Sequence, residues 1–324
     1  MTKQLADLSL DLDNKWSYLK THGDAIWASY PSYLEVVIPH ALEALREHNL
    51  TITFFVVGQD AALESNRDAL KQIVGQGHEI GNHSFRHEPW LQRYSRPQLE
   101  DEFDRAEQAI GSITPQKLIG FRGPGYSLSP DVLDILGSRG YLYDCSTLPT
   151  FIGPAARAYY FLRSRLTRAQ TEDRKQLFGS MRDGLRRLRP YYWETPSGAV
   201  LEIPVSTMPI FRTPFHFSYL LYLAQFSELL ASAYFRLALL MCKASSLAPS
   251  MLLHPLDFLG KDDVTDLDFF PAMNLPGAQK RRFLSRMLGL YARSFDVVNM
   301  ARRANWLVSG DGPHLPVKQM SYLK

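Results

Sequence analysis

The sequence predicts an α/β fold, and three observations carry that reading. Apolar, β-branched runs alternate with segments of helical periodicity along most of the chain. The 324 residues are 45% hydrophobic and 12% aromatic, enough to bury a large core as one α/β barrel or two smaller domains. Glycines punctuate the runs: Gly77 ends one helical stretch, and Gly140 stands where a left-handed C-cap is expected. Disordered and fibrous classes are excluded by the same composition.

Taken in order, a strand near Leu5 to Leu12 is followed by a helix from about Tyr30 to His48 and the strand "TITFFVVG", Thr51 to Gly58. A helix near Ala61 to Gln76, a short strand at "HEIGNHS", a helix from Gln98 to Ile110 and a strand at "KLIGFRGP" come next. The helix after Pro130 leads to "YLYDCS". From Phe151 to about Ser197 the rhythm stops. That segment is helical in propensity and bordered by aromatics, and Arg157 to Arg189 holds ten Lys or Arg against Glu172, Asp173 and Asp183. It reads as a basic insertion, 151–198. The βα rhythm returns with "AVLEIPVST", a long apolar helix from Ser218 to Ala244, the strand "SMLLHPLDF", a helix from Gly277 to Ser294 and a terminal "WLVSG".

A formal net charge of +3 is too small to argue for a nucleic-acid partner. Cys145 and Cys242 are far apart in the chain, with no CxxC or zinc-ribbon spacing, which fits a reducing compartment. The start "MTKQLADLSLDLD" enters a strand pattern without a secretory signature, so a cytoplasmic chain is expected. Thr213 to Ser227 runs 15 residues without a charge before Glu228, short of the roughly 20 that span a bilayer.

The residues that carry chemistry sit at strand ends. Asp11 and Asp13 lie two apart, so a strand sends both carboxylates to one side. A solvated strand end would look the same, but this pair closes an apolar run at the end where α/β barrels place catalytic groups. His83 and His87 in "GNHSFRH" are four apart, a spacing that lets two imidazoles meet one cation if a loop enters a helical turn. An isolated pair of this kind is as readily a polar helix face. Two histidines and one carboxylate make a common open site for a divalent metal. Arg122 enters the Gly-Pro-Gly loop of "FRGPGYS", where bare backbone can approach a ligand. His254 ends the apolar run "MLLHPLDF", with Asp257 three residues on.

Read together and in this order, "DLD", "HSFRH", "FRGPG" and "LLHP" resemble the motifs of the NodB-like polysaccharide deacetylases, carbohydrate esterases that remove N-acetyl groups with a divalent metal. The resemblance covers residues 5–147 and 199–259. It implies a deformed (β/α)7-type barrel, a single catalytic domain over 1–324 with the helical, arginine-rich insertion at 151–198. It implies that Asp13, His83 and His87 bind the metal, most readily zinc, with cobalt, nickel or manganese as alternatives. Asp11 is then the general base toward the attacking water, and Arg122 holds it ionised and in place. His254 protonates the departing amine, and the backbone N–H of Gly125 supports the oxyanion.

Two departures from that family pattern stand out. Leu12 separates the aspartates, which are adjacent in most members, and this places the chain in a divergent D-x-D branch. The Asp-Trp pair expected after Asp144 is replaced by "DCSTLPT", leaving Asp257 or Asp144 as the partner of His254. The expected substrate is a glycan or a lipid-linked amino sugar. The basic insertion and the run "MPIFRTPFHFSYLLYLAQF" also suit peripheral contact of 157–241 with the inner face of a membrane, or, as plainly, a core or oligomer-interface helix beside a solvated basic face. A branch acting on a polyprenyl-linked sugar has a similar D-V-D motif. A metal-free allantoinase-like amidohydrolase, a silent glycan-binding relative and a membrane scaffold are the other classes open.

Overall fold

Among the described residues the alternation of strands and helices builds one sheet of ten strands, all pairs parallel except one. The computed structural model describes residues 3–163, 166–167, 171–172, 179–310 and 312–319. Its strands are β1 (Leu5–Asp11), β2 (Thr53–Val56), β3 (Glu79–Asn82), β4 (Gly120–Phe121), β5 (Tyr143–Asp144), β6 (Tyr191–Thr195), β7 (Gly198–Glu202), β8 (Ser250–Leu253), β9 (Asp296–Val298) and β10 (Val317–Gln319). Their order is β10-β6-β7-β5-β4-β3-β2-β1-β8, with β9 beside the first half of β1. The result is a deformed α/β barrel that does not close. Ser206 N–H donates to Ser250 O at 2.9 Å and Ser250 N–H to Ser206 Oγ at 2.8 Å, bridging the seam beyond β7 without forming a strand pair.

The period of two explains how β1 organises the interior. Ala6, Leu8, Leu10 and Leu12 all enter the main hydrophobic cluster. The odd positions Asp7, Ser9, Asp11 and Asp13 are buried too, and each has a polar partner: Arg303 and Ser250 for Asp7, Arg122 for Ser9 and Asp11, and two histidines for Asp13. A polar column therefore runs up the strand and ends at the rim.

Several elements differ from their sequence-based expectation. The long apolar helix is two, Phe217–Ala224 and Glu228–Ala244, because Ser227 Oγ accepts from Leu230 N–H at 3.3 Å and starts a new helix. "YYWET" is β6 rather than the end of a helical insertion, its aromatics alternating inward against β7. The terminal "WLVSG", given no element type in the sequence, closes the helix Met300–Val308. Within the insertion the helix Gly153–Arg163 forms, while the reading over 164–165, 168–170 and 173–178 lies outside the described residues. Both cysteines are free and buried. Among the described residues no helix is long and apolar enough to cross a membrane.

Candidate active site and metal centre

The segment Gly81 to Trp90 leaves β3 and turns sharply, with Ser84 and His87 at positive φ (62° and 51°), so the two imidazoles converge from a loop and not from a helical turn. Sequence reasoning missed what holds this loop. Glu102, fully buried on the helix Arg96–Gly111, accepts the N–H groups of Phe85 at 3.0 Å and Arg86 at 2.9 Å. The Arg86 guanidinium reaches the other oxygen at 2.6 Å, so the buried charge is matched. Ser84 Oγ accepts His87 N–H at 3.2 Å, and Asn82 Oδ1 accepts Ser84 N–H at 2.9 Å.

His83 Nδ1 donates to the Arg122 carbonyl at 2.6 Å, which fixes its tautomer and leaves Nε2 facing Asp13 at 3.2 Å. Nε2 of His87 lies 2.9 Å from the same oxygen, Oδ1 of Asp13. Ligand atoms bound at about 2.0–2.1 Å to a tetrahedral ion stand about 3.3 Å apart, close to these separations, so the donor set fits a divalent metal. One ligand atom from each of the three residues falls within 4.8 Å of the others. Burial acts to raise the Asp13 carboxyl, but His87 and His83 outweigh it and hold the group well below the usual carboxylate range. Burial likewise acts to lower His83, and Asp11 and Asp13 reverse it, leaving the ring raised.

Arg122, with no exposed surface, bridges two elements of the site. Its guanidinium donates to Asp11 Oδ1 at 2.8 Å, Ser9 Oγ at 2.9 Å and Cys145 O at 3.2 Å, and it lies over the Phe55 ring at 4.7 Å. Gly125 sits two residues before Ser127 in a tight turn at φ 59°, and a Cβ there would meet Pro89 at 2.9 Å, so glycine is required twice over. Its N–H makes no hydrogen bond among the described residues.

His254, just past β8, is held by a residue that lies 36 positions earlier. Ser218 Oγ stands 2.9 Å from its Nδ1, and the same hydroxyl interacts with Asp257. The Asp257 carboxylate itself accepts the backbone N–H of His254 at 2.8 Å, not the ring. Asp144 is committed elsewhere: it accepts Ser146 Oγ–H at 2.6 Å beside Glu202, and burial with the nearby Asp144 favours the protonated form of Glu202. The partner of the His254 ring is therefore Ser218, with Asp257 behind it. His216, another residue without a sequence signal, is buried with Nδ1 unpartnered, its ring 5.8 Å from that of His254. Burial first, then His254 and Arg122, hold it well below the usual imidazole range, so it is neutral.

Asp11, Asp13, His83, His87, Gly125 and His254 all line one cavity of about 710 Å³, with Arg122 directly behind Asp11. The six lining residues and Arg122 thus come together at one place, whereas Asp144 does not join them. The model of the polysaccharide deacetylase family matches residues 20–143, a span that contains "HSFRH" and "FRGPG". Over residues 20–143 the chain is similar to the polysaccharide deacetylases. Asp11, Asp13 and His254 fall outside the matched span and join the site through the fold.

Among similar proteins, a chitooligosaccharide deacetylase of Bradyrhizobium sp. (strain ANU 289) is 36% identical over 80 residues, covering 25% of this chain and 35% of that protein. The peptidoglycan-N-acetylmuramic acid deacetylase PdaA of Bacillus subtilis (strain 168) is 35% identical over 104 residues, covering 32% and 38%. The aligned part is thus little more than a third of either relative. A crystal structure from Mycobacterium smegmatis, assigned to the polysaccharide deacetylases, overlays 95% of this chain and 92% of its own with a TM-score of 0.58 at 17% identity, a likeness of fold.

Proposed function

We propose that the chain is a divalent-metal-dependent N-deacylase of an N-acylated amino sugar, a hydrolase of linear amide bonds working from one catalytic domain over 1–324 with 151–198 as an insertion. The observation that carries this reading is the convergence of Asp13, His83 and His87 on the wall of the cavity that Asp11 and His254 share. When bound by those three residues, the ion, zinc in our reading, supplies Lewis acidity to the amide carbonyl and to water.

The chain's own groups do the rest. Asp11, fixed by Arg122, takes a proton from the attacking water as the new C–O bond forms. Gly125 N–H donates to the oxygen that becomes negative. His254, oriented by Ser218, gives a proton to the nitrogen as the C–N bond breaks, releasing a carboxylate and a free amine. Metal content of the protein and of His83→Ala, paired with amine release from N-acetylated oligosaccharides by the protein and by Asp11→Asn, tests the reading. It fails if chelated protein is as active as loaded protein.

A second reading, a lipid-linked amino sugar, is favoured by the walls of the cavity. Phe269, Phe270, Leu148 and Ile152 line it, and the exposed Tyr222 lines it too. A lipid carrier requires the chain to meet a bilayer, in this reading at its cytoplasmic face.

A further inference from the structure

The helix Glu228–Ala244 is apolar on both faces. Inward, Ala231, Phe235, Ala238, Leu239 and Cys242 are buried. Outward, Leu229, Leu230, Leu237 and Leu240 are 79%, 68%, 49% and 63% exposed. A surface helix ordinarily turns polar residues to water, so a second apolar face implies a second apolar surrounding. The patch extends beyond the helix. Tyr234 Oη bonds Thr213 Oγ1 at 2.8 Å and Pro214 O at 2.9 Å, drawing in the turn that exposes Ile210 and Phe211.

Its charge is of one sign. The exposed positions of the helix carry Arg236 and Lys243 and no acid, while Glu228 at its start is tied to Arg286 and Gln279. The neighbouring segment adds more. Arg189 donates to Ser245 O at 2.5 Å and Arg212 to Arg186 O at 2.8 Å, which brings exposed Met181, Leu185, Arg182 and Arg187 alongside. Asp183, the one carboxylate within 179–190, is paired with Arg186 at 2.6 Å. Leucines interleaved with guanidinium groups match the acyl boundary and phosphates of an anionic bilayer. A second copy of the same face would set like charges against each other.

The patch also reaches the cavity. Ser218, Tyr219 and Tyr222 line the cavity from the helix Phe217–Ala224, and the Tyr222 ring meets that of Phe226, 73% exposed, at 5.6 Å. We infer that this face rests on an anionic membrane surface and holds the cavity mouth toward a lipid-borne substrate; what the cavity receives rests on the deacylase reading above.

Flotation of the full chain tests it, with vesicles of phosphatidylcholine alone and of phosphatidylcholine mixed with phosphatidylglycerol. The protein is expected to float with the mixed vesicles and to release as salt rises. Leu229→Ser/Leu237→Ser/Leu240→Ser and Arg182→Gln/Arg187→Gln should each bind about tenfold less or weaker still, with unchanged sedimentation mass and unchanged amine release from a soluble N-acetylated oligosaccharide. Failure of the protein to float with mixed vesicles, or equal flotation of the leucine variant, overturns the inference. So does a dimer that the leucine variant splits, which makes the face an interface between copies. Normal flotation with no amine release by any of the proteins would sink the deacylase reading and leave the docking face standing.

Discussion

Asp11 and Arg122 form a buried ion pair, Arg122 Nη1 donating to Asp11 Oδ1 at 2.8 Å from a guanidinium with no exposed surface. The pair joins the first and third of the site's four sequence motifs, "DLD" and "FRGPG", and the same Arg122 anchors His83 through its carbonyl. One residue thus ties the candidate base to the candidate metal ligands. Removing one partner of a buried pair leaves the other charge uncompensated. Arg122→Met should therefore cost about 3 kcal/mol of stability in denaturant unfolding, with Arg122→Lys intermediate because its ammonium lacks the fork that reaches Ser9, Asp11 and Cys145 together.

Glu102 touches no candidate ligand, yet it sets the loop that carries both histidines. Glu102→Gln keeps the shape and loses the charge facing Arg86. Zinc affinity, measured by competition with a chromophoric chelator, should fall about 10- to 100-fold as is usual for residues supporting metal ligands. Unchanged affinity would show the loop holds its form without Glu102.

Ser218 is predicted to position His254. Ser218→Ala should lower kcat about tenfold or more while KM stays near its original value, as expected when proton transfer alone is impaired. The pH profile should move with it, and Ser218→Thr should restore both. A merely structural serine would give a stability loss with an unshifted profile.

His78 makes stability depend on acid. Burial pushes its imidazole down to about 4, and the neutral ring accepts Ile52 N–H at 3.1 Å. Between pH 6.5 and about 4 the unfolded chain binds a proton that the folded chain does not, so stability is complete above 6.5 and lost as pH falls through this window. The loss should approach about 3 kcal/mol by linkage. Thermal unfolding across this range should fall less steeply in His78→Asn, which accepts a hydrogen bond without titrating.

Legibility in the sequence followed the distance over which each contact is made. Asp11 and Asp13 were readable because a strand repeats every two residues, and the column they close is the odd face of β1. His83 with His87, Arg122 with Gly125, and His254 were readable because each motif is local and punctuated by glycine, proline or a strand end. Ser218, His216 and Glu102 were not. Their roles exist only where a helix packs against a loop from another part of the chain, as Ser218 does on His254. The break at Ser227 had a local signal, a serine before Glu228, that the uninterrupted apolar run concealed. β6 was hidden for the opposite reason: arginines before it suggested a continuing helix, while its alternating aromatics bury against β7.

The most direct test of the central claim is amine release from an N-acetylated chitooligosaccharide by metal-loaded protein, chelated protein and Asp11→Asn in parallel. The site geometry predicts activity in the loaded protein only, recovery when zinc is returned after chelation, and an Asp11→Asn protein that retains its metal and loses activity by about 100-fold or more. Equal rates in loaded and chelated protein, or a fully active Asp11→Asn, would contradict it.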